Sequence, residues 1–196
     1  MKPTKIFILN GHPAENSLSK LIAQTYADAA AANGFEVRTS QLSDMNFDAD
    51  FGFAGYKQHK ELEPDLVAFR KDIEWAEHIV MTTPMWWGGL PAKLKGIFDR
   101  TFLPGWAFDT RTTKLGIPLP MLSGRTARIF VNSDTPGFFF WLMHRNALLK
   151  QIRGQIFHFC GIKPARITHF APAGTATPKK IEKWIEEVRK LGTSGA

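Results

Sequence analysis

The stretch 78-HIVMTTPMWWGGLPAKLKGIFDRTF-102 decides how this chain is read. Its first seven residues are apolar nearly throughout, the pattern of a strand covered on both faces. Two adjacent tryptophans and two glycines follow in 85-MWWGGL-90. At Pro91 the spacing turns helical and stays so over 91-PAKLKGIFDRTF-102, with proline at a first helical position. Strand, loop and helix in that order form the repeating unit of a parallel sheet.

The same unit recurs on both sides. The run 5-KIFILN-10 leads through a Gly-His-Pro turn into a helical stretch, 17-SLSKLIAQTYADAAAANG-34, with Ser near its start and Asn33-Gly34 as its stop. The run 35-FEVRTSQL-42 is followed by a polar segment with aromatics and then by helical spacing at 64-PDLVAFRKDIEWA-76. Downstream, 103–124 is rich in Gly, Pro and Thr and is expected to be one long loop. A strand is expected at 127-ARIFVNSD-134, a helix over about 141–159, a fifth strand at 166-RITHFAP-172 and a last helix over about 177–192. Five strands alternating with five helices predict an α/β, doubly wound, five-stranded parallel sheet with helices on both faces and right-handed crossovers. The two common forms are flavodoxin-like, strand order 2-1-3-4-5, and Rossmann. The dinucleotide fingerprint of the latter fails, because 10-NGHPAENSLS-19 carries a single glycine.

Composition agrees. The 196 residues are 44% hydrophobic and 22% charged, as expected of a single domain spanning 1–196 and not of a fibre or a disordered tail. A lone cysteine, Cys160, excludes an internal disulfide and suits a reducing, cytoplasmic setting. Cys160 lies in an apolar run and reads as a core residue. The longest apolar runs, such as 137-GFFFWLM-143, are too short to span a bilayer. The net charge of +7 comes from scattered basic residues, the densest mixture being 179-KKIEKWIEEVRK-190, a solvated helix face. Nucleic acid is therefore not the expected partner.

In an open α/β sheet, ligands bind at the carboxyl ends of the strands. Three loops converge there. The first supplies His12, Asn16, Ser17 and Ser19 at a helix N-terminus, where free N–H groups favour phosphate. Ser17 as a plain helix cap and His12 as a turn residue are the alternatives. The second supplies Pro84, Met85, Trp86 and Trp87, a ledge for a planar ring whose glycines allow close backbone approach. The third, Asn132, Ser133, Asp134, Thr135 and, after Pro136, Gly137, offers a polar edge or simply a turn. Phosphate donors at one end and stacking aromatics at the other suit a flavin, FMN or FAD. The six histidines show neither a helical pair nor zinc spacing, so no metal is expected. No G-x-S-x-G elbow is present.

The segment 72-DIEWAEHIVMTTPMWWGGLPAKLKGIFDRTFLPGWAF-108, with 10-NGHPAENSLS-19 and 41-QLSDMNF-47, resembles the flavodoxin-like NAD(P)H:quinone oxidoreductases of the DT-diaphorase type and their bacterial relatives. The resemblance covers most of the first 135 residues. It implies a flavin held by the loop residues named above, with His12, Ser17, Leu18 and Ser19 on its phosphate side, a homodimer with sites at the subunit interface, and Trp87, Trp106 and Phe108 as aromatics presented to nicotinamide or quinone. The implied activity is two-electron hydride transfer from NAD(P)H to a quinone or similar small-molecule acceptor, carried out by the flavin without a certain catalytic side chain. Family quinone reductases carry a Tyr and a His after the fourth strand. Here Phe140 stands near the Tyr position and His144 is the candidate substitute; the chain's tyrosines are Tyr26 and Tyr56. Arg100, Arg111 and Lys114 are candidates for a cofactor 2′-phosphate. The competing functions are a one-electron flavodoxin-type carrier and a regulatory flavoprotein of a transport system.

Overall fold

The computed structural model describes residues 4–55 and 58–196; Tyr56 and the side chains of Thr112 and Lys114 lie outside the described residues. Its elements run β1 (Lys5–Asn10), α1 (Leu18–Ala32), β2 (Glu36–Gln41), α2 (Pro64–Trp75), β3 (His78–Pro84), α3 (Ala92–Thr101), β4 (Phe108–Lys114), β5 (Ile117–Pro120), β6 (Thr126–Asn132), α4 (Gly137–His144), α5 (Ala147–Lys150), β7 (Ala165–Phe170) and α6 (Pro178–Ser194). A π-helical segment, Gln151–His158, continues directly from α5. The main sheet has the order β2-β1-β3-β6-β7, all parallel. With the intervening hairpin set aside, this is the expected 2-1-3-4-5.

Period-2 alternation divides the apolar side chains between two cores. Phe7, Leu9, Ile79, Met81, Ile129 and Val131 face α2, α3 and the α5–π helix. Ile6, Ile8, Val80 and Phe130 face the other way, toward Ile22, Tyr26 and Val188 of α1 and α6. Every residue of β3 is buried, as a central strand requires. Gly192 lets α6 approach α1 closely: a Cβ there would stand 2.7 Å from the Tyr26 carbonyl oxygen and 2.9 Å from the Ala29 Cβ.

Two expectations fail. The 103–124 segment is not one loop; β4 and β5 form an antiparallel hairpin outside the main sheet. Nor is 141–159 one helix. Arg145 and Asn146 take left-handed backbone angles, φ 49° and 56°, and break it between α4 and α5. The fourth main-sheet strand also ends at Asn132, which frees Ser133 and Asp134 for the loop.

Candidate flavin site

The three loops do meet, and specific bonds join them. Asn10, the last residue of β1, is fully buried. Its Nδ2 donates to Gln41 Oε1 at 2.9 Å, while its Oδ1 accepts from the Thr82 hydroxyl and the His12 N–H, each at 3.2 Å. One amide thus ties the ends of β2, β1 and β3. Gly11 follows, its N–H donating to the Thr82 carbonyl at 2.7 Å. A Cβ there would lie 2.9 Å from that carbonyl oxygen, so only glycine fits.

The first loop turns on His12, whose Nδ1 accepts from the Ala14 N–H at 3.0 Å. Burial holds the imidazole below its ordinary pKa. The neutral ring then carries its proton on Nε2, free to donate outward. Ser17 caps α1, its Oγ accepting from the Lys20 N–H at 3.1 Å. Both plain alternatives, cap and turn, are therefore present, and they shape the loop. The Leu18 and Ser19 N–H groups lie in the first helical turn, where no intrahelical acceptor exists. Asn16 is exposed beside them.

Ser19 is fully buried, and its hydroxyl donates to Asn132 Oδ1 at 2.7 Å, joining the first loop to the third. The Asn132 carbonyl accepts from the Met85 N–H at 2.9 Å, joining the third to the second. Pro84 is buried at the end of β3 and Met85 packs on the core. Trp86 and Gly89 exchange reciprocal backbone bonds of 3.0 and 2.9 Å. Trp87 and Gly88 form the tip of that turn, φ 50° and 75°. The Trp86 ring stands edge-on to His12 with centroids 5.7 Å apart, whereas Trp87 is wholly exposed.

In the third loop, the Ser133 hydroxyl donates to the Thr135 carbonyl at 3.1 Å and lies 2.8 Å from His169 Nε2. With the Ser133 proton used on Thr135, His169 Nε2–H is the donor in the second bond. Burial keeps this imidazole below its ordinary pKa too. Asp134 accepts from the Gly174 N–H at 2.6 Å, and Gly137 begins α4. His169, which no motif singles out, is the added member of this loop's framework. His144 is exposed and touches the rings of Phe139 and Phe140.

Trp106 and Phe108 are not brought to the ledge within one copy. The Trp106 Nε1–H donates to Glu74 at 2.6 Å, and the Arg70 guanidinium lies 4.7 Å above its ring. Glu74 closes α2 just ahead of β3, so Trp106 sits at the opposite end of the sheet, about 20 Å away at the usual rise per strand residue. Phe108 packs on Phe159, 5.0 Å between centroids, and lines a cavity of about 700 Å³ with Phe98, Phe102 and Cys160. Arg100 is unavailable to a 2′-phosphate. It is buried against the carbonyls of Asp48 and Glu61 and the carboxylate of Glu63. Arg111 is exposed and paired with Asp109. Among the described residues no cluster suits a metal ion, and no helix is long and apolar enough to cross a membrane.

Known proteins share this fold. The chain is 22% identical to the rat (Rattus norvegicus) ribosyldihydronicotinamide dehydrogenase [quinone], over 97% of this chain and 93% of that one. The crystal structure of Smu.1420 from Streptococcus mutans superposes with a TM-score of 0.80 at 24% identity, covering 96% of this chain and 98% of that one. An FMN-dependent NADH-azoreductase from Bacillus anthracis, solved with FMN, gives 0.73 at 18% identity over 97% and 98%. A family model described as flavodoxin-like fold matches residues 4–191. With the strand order and the three carboxyl-end loops already in place, that match makes this chain a member of the flavodoxin-like fold family.

Proposed function

We propose that the protein is a flavin-dependent NAD(P)H oxidoreductase that reduces quinones or similar acceptors by two-electron transfer. The observation that carries this reading is Trp87. A wholly exposed indole is held in a left-handed backbone at the mouth of three bonded loops, where folding alone gives it no contact. Names borne by relatives support the reaction class: a ribosyldihydronicotinamide dehydrogenase [quinone], an NAD(P)H dehydrogenase [quinone] 1 and an FMN-dependent NADH-azoreductase.

The residues present fit a flavin. A phosphate would lie on the Leu18 and Ser19 N–H groups at the α1 N-terminus, with His12 Nε2–H and Asn16 beside it. Pro84, Met85, Trp86 and Trp87 would line the ring system. The backbone of Ser133 to Gly137 would meet its polar edge, held in place by Asn132 and His169. When bound, flavin accepts a hydride from NAD(P)H and passes it to the acceptor, so that NAD(P)H, a proton and a quinone become NAD(P)⁺ and a hydroquinone. The chain's own residues position both partners, stack on them and exclude water around the ledge.

We also propose a homodimer. The hairpin tip exposes Leu115 at 95% and Ile117 at 60%, and a second copy would cover them. An anaerobic visible spectrum tests the central reading, taken after loading with FMN or FAD and desalting, before and after NADPH. A retained yellow band that bleaches in one two-electron step supports it. A stable one-electron-reduced band points to a carrier, and no retained flavin removes the proposal.

A further inference from the structure

A hydride carries two electrons and one proton, so its arrival in a site adds one negative charge. The third loop, 132-NSDTPG-137, holds Asp134 and no Lys or Arg. Asp134 is committed to the Gly174 N–H at 2.6 Å. Charge compensation at this loop must come from the side chains bonded to it. Among the described residues these are Ser19, through Asn132, and His169, through Ser133. Of the two, only the imidazole can gain a proton.

The fold brings His169 there by register. Val131 of β6 pairs with His169 of β7, and the ring lies on the same face of the sheet as Ile167 and Phe140. Nε2–H donates to the Ser133 hydroxyl at 2.8 Å, which donates in turn to the Thr135 carbonyl at 3.1 Å. Nδ1 makes no hydrogen bond among the described residues and stays open to solvent. A Cβ on Gly137 would stand 3.8 Å from it. A proton added at Nδ1 therefore leaves both bonds of the loop intact.

At rest the ring is neutral. Burial alone holds its pKa below the ordinary value, and the positive end of α4 beside Gly137 acts in the same direction. The surrounding charged and titratable groups are engaged elsewhere. Asp134 is bonded to Gly174, and His144 of α4 meets Phe140 and Phe139. Lys150 and Arg153 of the α5–π segment are exposed, and Lys180 of α6 lies against the Ala171 carbonyl and Trp184 on the other face of the sheet.

We propose that His169 is the proton-holding partner of this site, taking one proton from water at Nδ1 when hydride enters and returning it when hydride leaves. It acts through Ser133, so it is a positioning residue for charge and touches no substrate. The point rests on the reductase reading. The balance is closed: hydride brings the quinone two electrons and one proton, and the second proton of the hydroquinone comes from water, to which His169 gives back its own.

The first test is imidazole NMR of the wild type, titrated empty, loaded with FMN, and loaded with FMN then reduced by dithionite, the signal assigned by its loss in His169→Gln. Proton affinity at His169 should rise at least about tenfold on reduction, the scale of one unit charge acting through an intervening hydroxyl at an effective dielectric of about 20. The second is the pH dependence of the midpoint potential of bound FMN. His169→Gln keeps an N–H toward Ser133 and cannot charge. Between about pH 6 and 7, the window between the low resting value of the ring and its raised one, the wild-type potential should fall more steeply with pH than that of the variant. A role confined to holding Ser133 would leave the two slopes equal, and equal slopes overturn the proposal. So does a His169 titration that is the same in oxidised and reduced protein. Retained FMN with either of these outcomes leaves the reductase reading standing, whereas no retained FMN overturns both.

Discussion

The Ser19 hydroxyl donates to Asn132 Oδ1 across 2.7 Å although 113 residues separate them. This bond joins the start of α1 to the end of β6, so the ends proposed to hold the phosphate and the ring edge share one support. Ser19→Ala leaves a buried acceptor without its donor, at a cost of about 1 kcal/mol. Flavin affinity should fall about fivefold with it, read by flavin fluorescence titration beside urea unfolding. Unchanged affinity would detach this bond from the site.

Trp87 occupies a position that suits glycine. A left-handed conformation costs a non-glycine residue roughly 1 kcal/mol, and Trp87 recovers none of it through contacts of its own fold. Trp87→Gly should therefore keep or raise the thermal midpoint while NAD(P)H-linked turnover drops about tenfold, the scale of one stacking contact. A destabilised variant with full turnover would reverse the assignment of this residue.

His78 begins β3 nearly buried, its Nδ1 2.7 Å from the Thr126 hydroxyl and its Nε2 without a partner. Burial, helped by Arg128 and Arg166, pushes its pKa down to about 4. The unfolded chain then binds the proton more readily, beginning near pH 6.5. Stability should fall as pH drops from about 6.5 to about 4, by up to about 3 kcal/mol in total, and be insensitive to this group above pH 7. His78→Asn should flatten that slope in unfolding curves taken at pH 7 and pH 5. A slope identical to wild type would assign the acid lability elsewhere.

Arg100 anchors the 48–63 segment to α3 through two carbonyls and Glu63. Arg100→Met strands those acceptors and should cost about 2–4 kcal/mol, discounted for the partial exposure of Glu63. Arg100→Lys should recover only part, because an ammonium lacks the planar fork. Limited proteolysis within 48–63 should rise in the same order, and equal resistance in all three proteins would contradict the anchor.

The sequence made the main sheet legible because the central strands are continuous apolar runs. It did not reveal the hairpin. In 108-FDTRTTKLGIPLP-120 the threonines, glycine and prolines read as loop, and the two strands pair with each other outside the main sheet. The break at Arg145–Asn146 carries no glycine or proline to announce it. At the site, residue types were readable but not bonds: Ser19 looked like a phosphate donor and also holds Asn132. His169 stayed unread, since its role depends on β7 lying beside β6. Arg100 looked like a free cation because nothing local shows that the 48–63 loop folds over it.

The Asn10 amide has a consequence on the clock of hydrogen exchange. One buried side chain closes the ends of β2, β1 and β3, and the neighbouring backbone bonds Leu42 N–H to Asn10 and Gly11 N–H to Thr82 lie on the same tie. These ends cannot fray one at a time. The amides of Gly11 and Leu42, in different strands' loops, should trade for deuterium as one cooperative unit near the rate of global opening. The floor beneath the ledge is in that sense a single mechanical part, and the loops above it can vary in sequence without loosening it.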